Sequence, residues 1–100
     1  MKNKKASVLV VDDDISICEL ISSTLEVNDF QCQFALSAEE AVSKISRYSF
    51  SVVLLDIKLP GKSGLELIET WRKSFKNLPV IMLTGISDIV RGASKASETL

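Results

Sequence analysis

The chain has 100 residues, 46% of them hydrophobic, and a formal net charge of −1. Such a chain is one small globular domain with apolar mass for a single core, which excludes intrinsic disorder and any partner held by bulk charge, whether nucleic acid or membrane. Histidine is absent, so a zinc site, a histidine base and a serine–histidine pair are excluded as well.

The basic start, MKNKK, is followed by only Ala6, Ser7 and the apolar residues 8–11 before three aspartates, too short an apolar run for a signal peptide or a membrane span. Residues 8–11, rich in valine and continuously apolar, suit a strand buried on both faces. Asp14 is a reasonable helix N-cap, and from Ile15 the apolar residues Ile17, Leu20, Ile21 and Leu25, with Thr24 beside them, fall at helical spacing. Residues 31–36 alternate and read as a second strand, half exposed and near an edge. Ser37-Ala38-Glu39-Glu40 is a capping-box pattern, opening a helix whose face is Ala38, Ala41, Val42 and Ile45. Residues 50–55 form a third strand that runs into Asp56. Ser63 to Glu66 is a further capping-box candidate, opening a helix through Leu65, Ile68 and Trp71. Residues 78–83 form a fourth strand, and Ser87 or Asp88 caps a last, weakly amphipathic helix ending near Leu100. Cys18 lies in a helical pattern and Cys32 in a strand pattern; two buried free thiols fit a reducing cytoplasm, the expected location.

The order βαβαβαβα, without linkers or repeats, predicts one domain over residues 1–100, built on a parallel sheet with helices on both faces. In such sheets the functional crevice lies at the carboxyl ends of the strands, where strand order reverses. Asp12, Asp13 and Asp14 follow the first strand, Asp56 the third, and Thr84 and Gly85 the fourth. With the first and third strands adjacent, Asp12, Asp13 and Asp56 converge. Two unit charges about 4 Å apart repel by about 4 kcal/mol at an effective dielectric near 20. Such a cluster needs a cation, and all-oxygen donors favour magnesium, manganese or calcium. Magnesium also meets phosphoryl oxygens, to which the Thr84 hydroxyl could donate.

The stretches LVVDDD, LLDIKLPGKSG and VIMLTG, in this order and spacing, resemble the receiver domain of two-component response regulators over essentially the whole chain. The resemblance implies a flavodoxin-like, CheY-like fold, a doubly wound parallel sheet with strand order 2-1-3-4. It implies that Asp56 accepts a phosphoryl group from a sensor histidine kinase or phosphotransfer protein. It further implies that Asp13, assisted by Asp12, and the backbone carbonyl of Lys58 bind Mg2+, that Thr84 is a switch hydroxyl, and that Pro60 and Gly64 shape the loop. An output domain or downstream effector would read the change, with no direct contact to nucleic acid or membrane. The module would not be a turnover enzyme.

The family continues through a fifth strand, ending in a lysine, and a fifth helix; both are missing from these 100 residues, which read as a truncated receiver. Its fourth strand would then be an apolar edge open to homodimer formation. Two other readings stand beside this one. Asp12-Asp13-Asp14-Ile15-Ser16 also resembles the first motif of haloacid-dehalogenase-type phosphatases, with Asp12 as nucleophile and Asp14 as acid/base; that reading leaves Asp56 unexplained. A pseudo-receiver that docks without phosphorylation is the third. Simple structural roles compete as well: Asp14 as a cap, Asp56 as a turn initiator, Thr84 as a turn residue, and Trp71 and Phe75 as helix packing.

Overall fold

The computed structural model describes residues 5–56 and 64–83. The elements run β1 (Ser7–Val11), α1 (Ile15–Val27), β2 (Gln31–Ala35), α2 (Ala38–Arg47), β3 (Val52–Asp56), α3 (Gly64–Ser74) and β4 (Val80–Leu83). The four strands form one parallel sheet in the order β2-β1-β3-β4. The expected α/β architecture and strand order are both present. The last predicted helix lies outside the described residues, as do Lys58, Pro60, Thr84 and Gly85.

Alternation along β1 builds the two faces. Val8 and Val10 point to α1, where they pack with Cys18 and with Ile21, Leu25, Phe30 and Phe34. Leu9 and Val11 point the other way, into a cluster with Ala41 of α2, Val53 and Leu55 of β3 and Trp71 of α3. A strand with both faces covered must be apolar throughout, which is why β1 reads as an unbroken run. Trp71 is only 2% exposed and Phe75 packs beside it, so the packing role read for both holds.

The helix ends are closed by local polar groups. Asp14 caps α1, its Oδ1 accepting from the Ser16 amide at 2.9 Å and the Ile17 amide at 3.4 Å. At the other end Asp29 takes a positive φ of 66°, with Phe30 N–H donating to Leu25 C=O and Asp29 N–H to Glu26 C=O. This is a Schellman closure, with the apolar pair Leu25 and Phe30 packed in one cluster. Ser37 Oγ accepts from the Glu40 amide at 3.1 Å and opens α2.

Several strand boundaries and two helix faces differ from the sequence reading. Residues 50 and 51 precede β3, and β3 extends to Asp56 itself. β4 begins at Val80, because Leu78 N–H still bonds to Phe75 C=O in the turn after α3 and Pro79 has no N–H to offer a ladder. β2 ends at Ala35, one residue early. The inward stripe of α1 is Ile17, Cys18 and Ser22, all buried, with Ile21 and Leu25 partly buried, while Leu20 is 50% exposed and Thr24 is exposed. In α2, Ala38, Ala41 and Ile45 pack inward, and Val42 is exposed. Among the described residues no helix is long and apolar enough to cross a membrane.

Candidate functional site

β1 sits between β2 and β3, so consecutive strands run outward in opposite directions from the β1/β3 boundary. A crevice opens at such a switch point, outside the carboxyl ends of the strands. The register pairs Val11 with Leu55, which sets Asp12 beside Asp56 at that crevice. Asp56 in turn pairs with Leu83, the residue before Thr84.

Asp12, Asp13 and Asp56 each place a carboxylate oxygen there, and these oxygens lie within 4.8 Å of one another. Asp12 is fully buried, Asp56 is buried at 6% exposure, and Asp13 is exposed. The Asp12 backbone is fixed from the neighbouring strand, its N–H donating to Ala35 C=O at 3.1 Å. Its Oδ1 accepts the Asp14 amide at 2.9 Å, whereas its Oδ2 is buried with no hydrogen-bond partner among the described residues. An unmet buried carboxylate oxygen is costly. Burial pushes the Asp12 carboxyl up to about 6; the negative charges of Asp56 and Asp13 add to the rise, and the Asp14 amide opposes it.

This donor set fits a hard divalent cation. All three donors are carboxylate oxygens, two of them are buried, and one oxygen is held out of water facing like charge. A cation there would satisfy Asp12 Oδ2 and remove the mutual repulsion.

The adjacent aspartates have separate tasks. Asp14 Oδ1 holds the start of α1. That position does not suit the acid/base role of the phosphatase reading, and Asp12, shut from solvent with Oδ1 engaged, is poorly placed as a nucleophile. Cys18, given no role beyond packing by its sequence position, supports the cluster from behind: its fully buried thiol donates to Asp12 C=O at 3.4 Å. Burial, and then the Asp12 charge, pushes that thiol up to about 12, so it stays a neutral donor. A contact between residues six apart in different elements leaves no spacing signal in the sequence.

The family model for the response regulator receiver domain matches residues 8–98. The CpxR homolog of Haemophilus influenzae, a transcriptional regulatory protein, is 40% identical over 79 residues, which are 79% of this chain and 34% of that protein. The transcriptional regulatory protein YkoG of Bacillus subtilis is 33% identical over 86% of this chain and 38% of its own length. Among solved structures, the response regulator TrrA of Thermotoga maritima, in complex with Mg2+ and BeF, superposes with a TM-score of 0.76 at 37% identity, covering 83% of this chain and 72% of TrrA. The chemotaxis response regulator CheY4 of Vibrio cholerae gives 0.73 at 32% identity, covering 79% and 68%. The chain belongs to the response regulator receiver domain family of two-component signalling, and its fold is CheY-like. It spans between 18% and 38% of the length of the curated relatives it matches.

Proposed function

We propose that the chain is a phosphoacceptor module: Asp56 takes a phosphoryl group from a phosphohistidine on a sensor histidine kinase or phosphotransfer protein, and an output domain or downstream effector reads the change. The observation that carries this is the placement of Asp56 at the end of β3, at the switch-point crevice, with the oxygens of Asp12 and Asp13 within 4.8 Å. An Asp56 carboxylate oxygen attacks phosphorus, the P–N bond breaks, and its electron pair returns to the imidazole. The product is an acyl phosphate, which water later cleaves to restore the carboxylate and release inorganic phosphate. The module is thus a consumed and regenerated acceptor rather than a turnover enzyme.

Asp12, Asp13 and Asp56 would hold Mg2+, with the Lys58 carbonyl as a further ligand and the Thr84 hydroxyl turned to the phosphoryl group by resemblance to the family. When bound, Mg2+ supplies charge neutralisation for the incoming phosphoryl oxygens. The chain's own contribution is positional. β1 and β3 hold the acids at fixed spacing, and the buried Asp12, fixed through its backbone N–H and C=O, cannot swing away. Mg2+ complexes occur in the related TrrA structure, which supports the same ion here. A cytoplasmic location, where kinase and acceptor meet, is part of the reading. So is pairing of two copies along β4, whose outer edge has no partner among the described residues and whose Ile81 is 52% exposed.

The test is treatment with phosphoramidate and Mg2+, followed by mapping of the adduct by mass spectrometry. A phosphoryl group on Asp56, lost in Asp56→Asn, is expected. An adduct on Asp12 would support the phosphatase reading instead. No adduct on any carboxylate would leave a docking module.

A further inference from the structure

The other edge of the sheet, remote from the acid crevice in its chemistry, carries a separate device. β2 pairs only with β1 among the described residues. Gln31 N–H donates to Ala6 C=O at 2.8 Å, and Ala35 C=O accepts from Asp12 N–H at 3.1 Å. In a parallel ladder both backbone groups of a residue point to the same side, and successive residues alternate. Gln31, Gln33 and Ala35 therefore face β1, and the N–H and C=O groups of Cys32 and Phe34 face outward.

Those two residues are self-complementary. In an antiparallel pair, opposed residues exchange both of their backbone hydrogen bonds. A second copy turned about a twofold axis at Gln33 would set Cys32 opposite Phe34 at two places, giving four bonds. Natural edges are blunted by charge, above all lysine. The sequence of β2, QCQFA, contains no charged residue. The charge comes from α2: Lys44 Nζ reaches round the edge and donates to Phe34 C=O at 2.7 Å, with Glu40 Oε1 4.0 Å from the same ammonium. By symmetry one lysine in each copy removes two of the four ladder bonds and buries two ammonium groups in the pairing.

We propose that Lys44 guards the β2 edge, and that releasing its contact with Phe34 opens β2 to antiparallel pairing with β2 of a second copy of this chain. The proposal does not depend on the phosphoacceptor reading, since it uses no side chain of the acid cluster.

The test compares the wild-type chain with Lys44→Met, which keeps the aliphatic stem but not the donor, and with Lys44→Arg, which keeps a donor. Size exclusion with light scattering is run across a wide concentration range. Dimer should form at roughly tenfold lower concentration in Lys44→Met than in wild type, with Lys44→Arg close to wild type. Adding Gln33→Cys to Lys44→Met should give, on air oxidation, a disulfide dimer whose linked peptides join position 33 to position 33. Adding Gln33→Lys should return association to the wild-type level, while circular dichroism shows the same folded content in every variant. Identical association of wild type and Lys44→Met overturns the proposal. So does extra association of Lys44→Met over wild type that is insensitive to Gln33→Lys or linked elsewhere. A Lys44→Met chain that loses its folded dichroism overturns it too, because Lys44 would then hold the fold rather than guard an edge.

Discussion

The polar groups that start α1 and α2 and those that close β1 and β3 sit in opposite environments. Asp14 and Ser37 bond to amides two or three residues away, at the surface, and complete the helices they precede. Asp12 is buried, has one oxygen without a partner among the described residues, and faces the charges of Asp13 and Asp56. Groups of the first kind build the fold. The second kind raises the energy of the unliganded fold, and a bound cation would restore the balance. Asp12, Asp13 and Asp14 are one run of a single residue type, so the contrast comes from placement.

The sharpest way to break the contrast is to exchange function for structure at Asp56. Asp56→Asn should abolish phosphoryl uptake completely while the chain still folds; uptake that survives the substitution places the acceptor elsewhere. Next in size is Asp12→Asn. With the folded carboxyl pushed up to about 6 from 3.8, ionising Asp12 costs more in the folded than in the unfolded state. The penalty is full above pH 6, fades as pH falls through the folded value, and is gone below 3.8. Without magnesium, Asp12→Asn should therefore be more stable than wild type at pH 7.5 by up to about 3 kcal/mol. That advantage should shrink steadily towards pH 4. Denaturant melts at a series of pH values check this, and a pH-independent difference would mean that the charge is not the cause.

Magnesium should act on wild type in the same direction and more weakly. At ten times its dissociation constant, linkage gives roughly 1.4 kcal/mol of added stability. The gain should vanish in Asp12→Asn, and a melting temperature indifferent to the ion in wild type contradicts the site. The smallest effect belongs to the satisfied group. Asp14→Ala should lower stability by about 1 kcal/mol, the usual cost of a lost N-cap. It should leave phosphoryl uptake and the magnesium response in place. A large loss of uptake in that variant would bring Asp14 into the site.

Much of this arrangement is legible in the residues. The apolar run at β1, the alternation at β2 and the caps at Asp14 and Ser37 are local signals, and the fold uses them as read. The convergence of Asp12, Asp13 and Asp56 follows once β1 and β3 are neighbours, and topology alone makes them so. The buried stripe of α1 is less legible. Cys18 and Ser22 are small and weakly apolar, yet both are buried, Ser22 Oγ lying 3.2 Å from Cys32 Sγ. Leu20 carries the stronger hydropathy signal and is exposed. Nor does a run of three aspartates reveal which member is buried, because that depends on the amide of Asp14 and the carbonyl of Ala35. The contact of Lys44 with Phe34 is invisible for the same reason, since it crosses from a helix to the far edge of a strand.

The most direct measurement is the titration of the Asp12 carboxyl, followed by carbon NMR of selectively labelled protein with and without magnesium. In the absence of the ion the carboxyl should titrate near 6, well above the ordinary 3.8. Saturating magnesium should bring it down sharply, because a cation stabilises the ionised form and takes the unmet oxygen. An Asp12 that titrates at its ordinary value without the ion, or one that magnesium leaves unmoved, would contradict the account of the crevice as a site built for a cation.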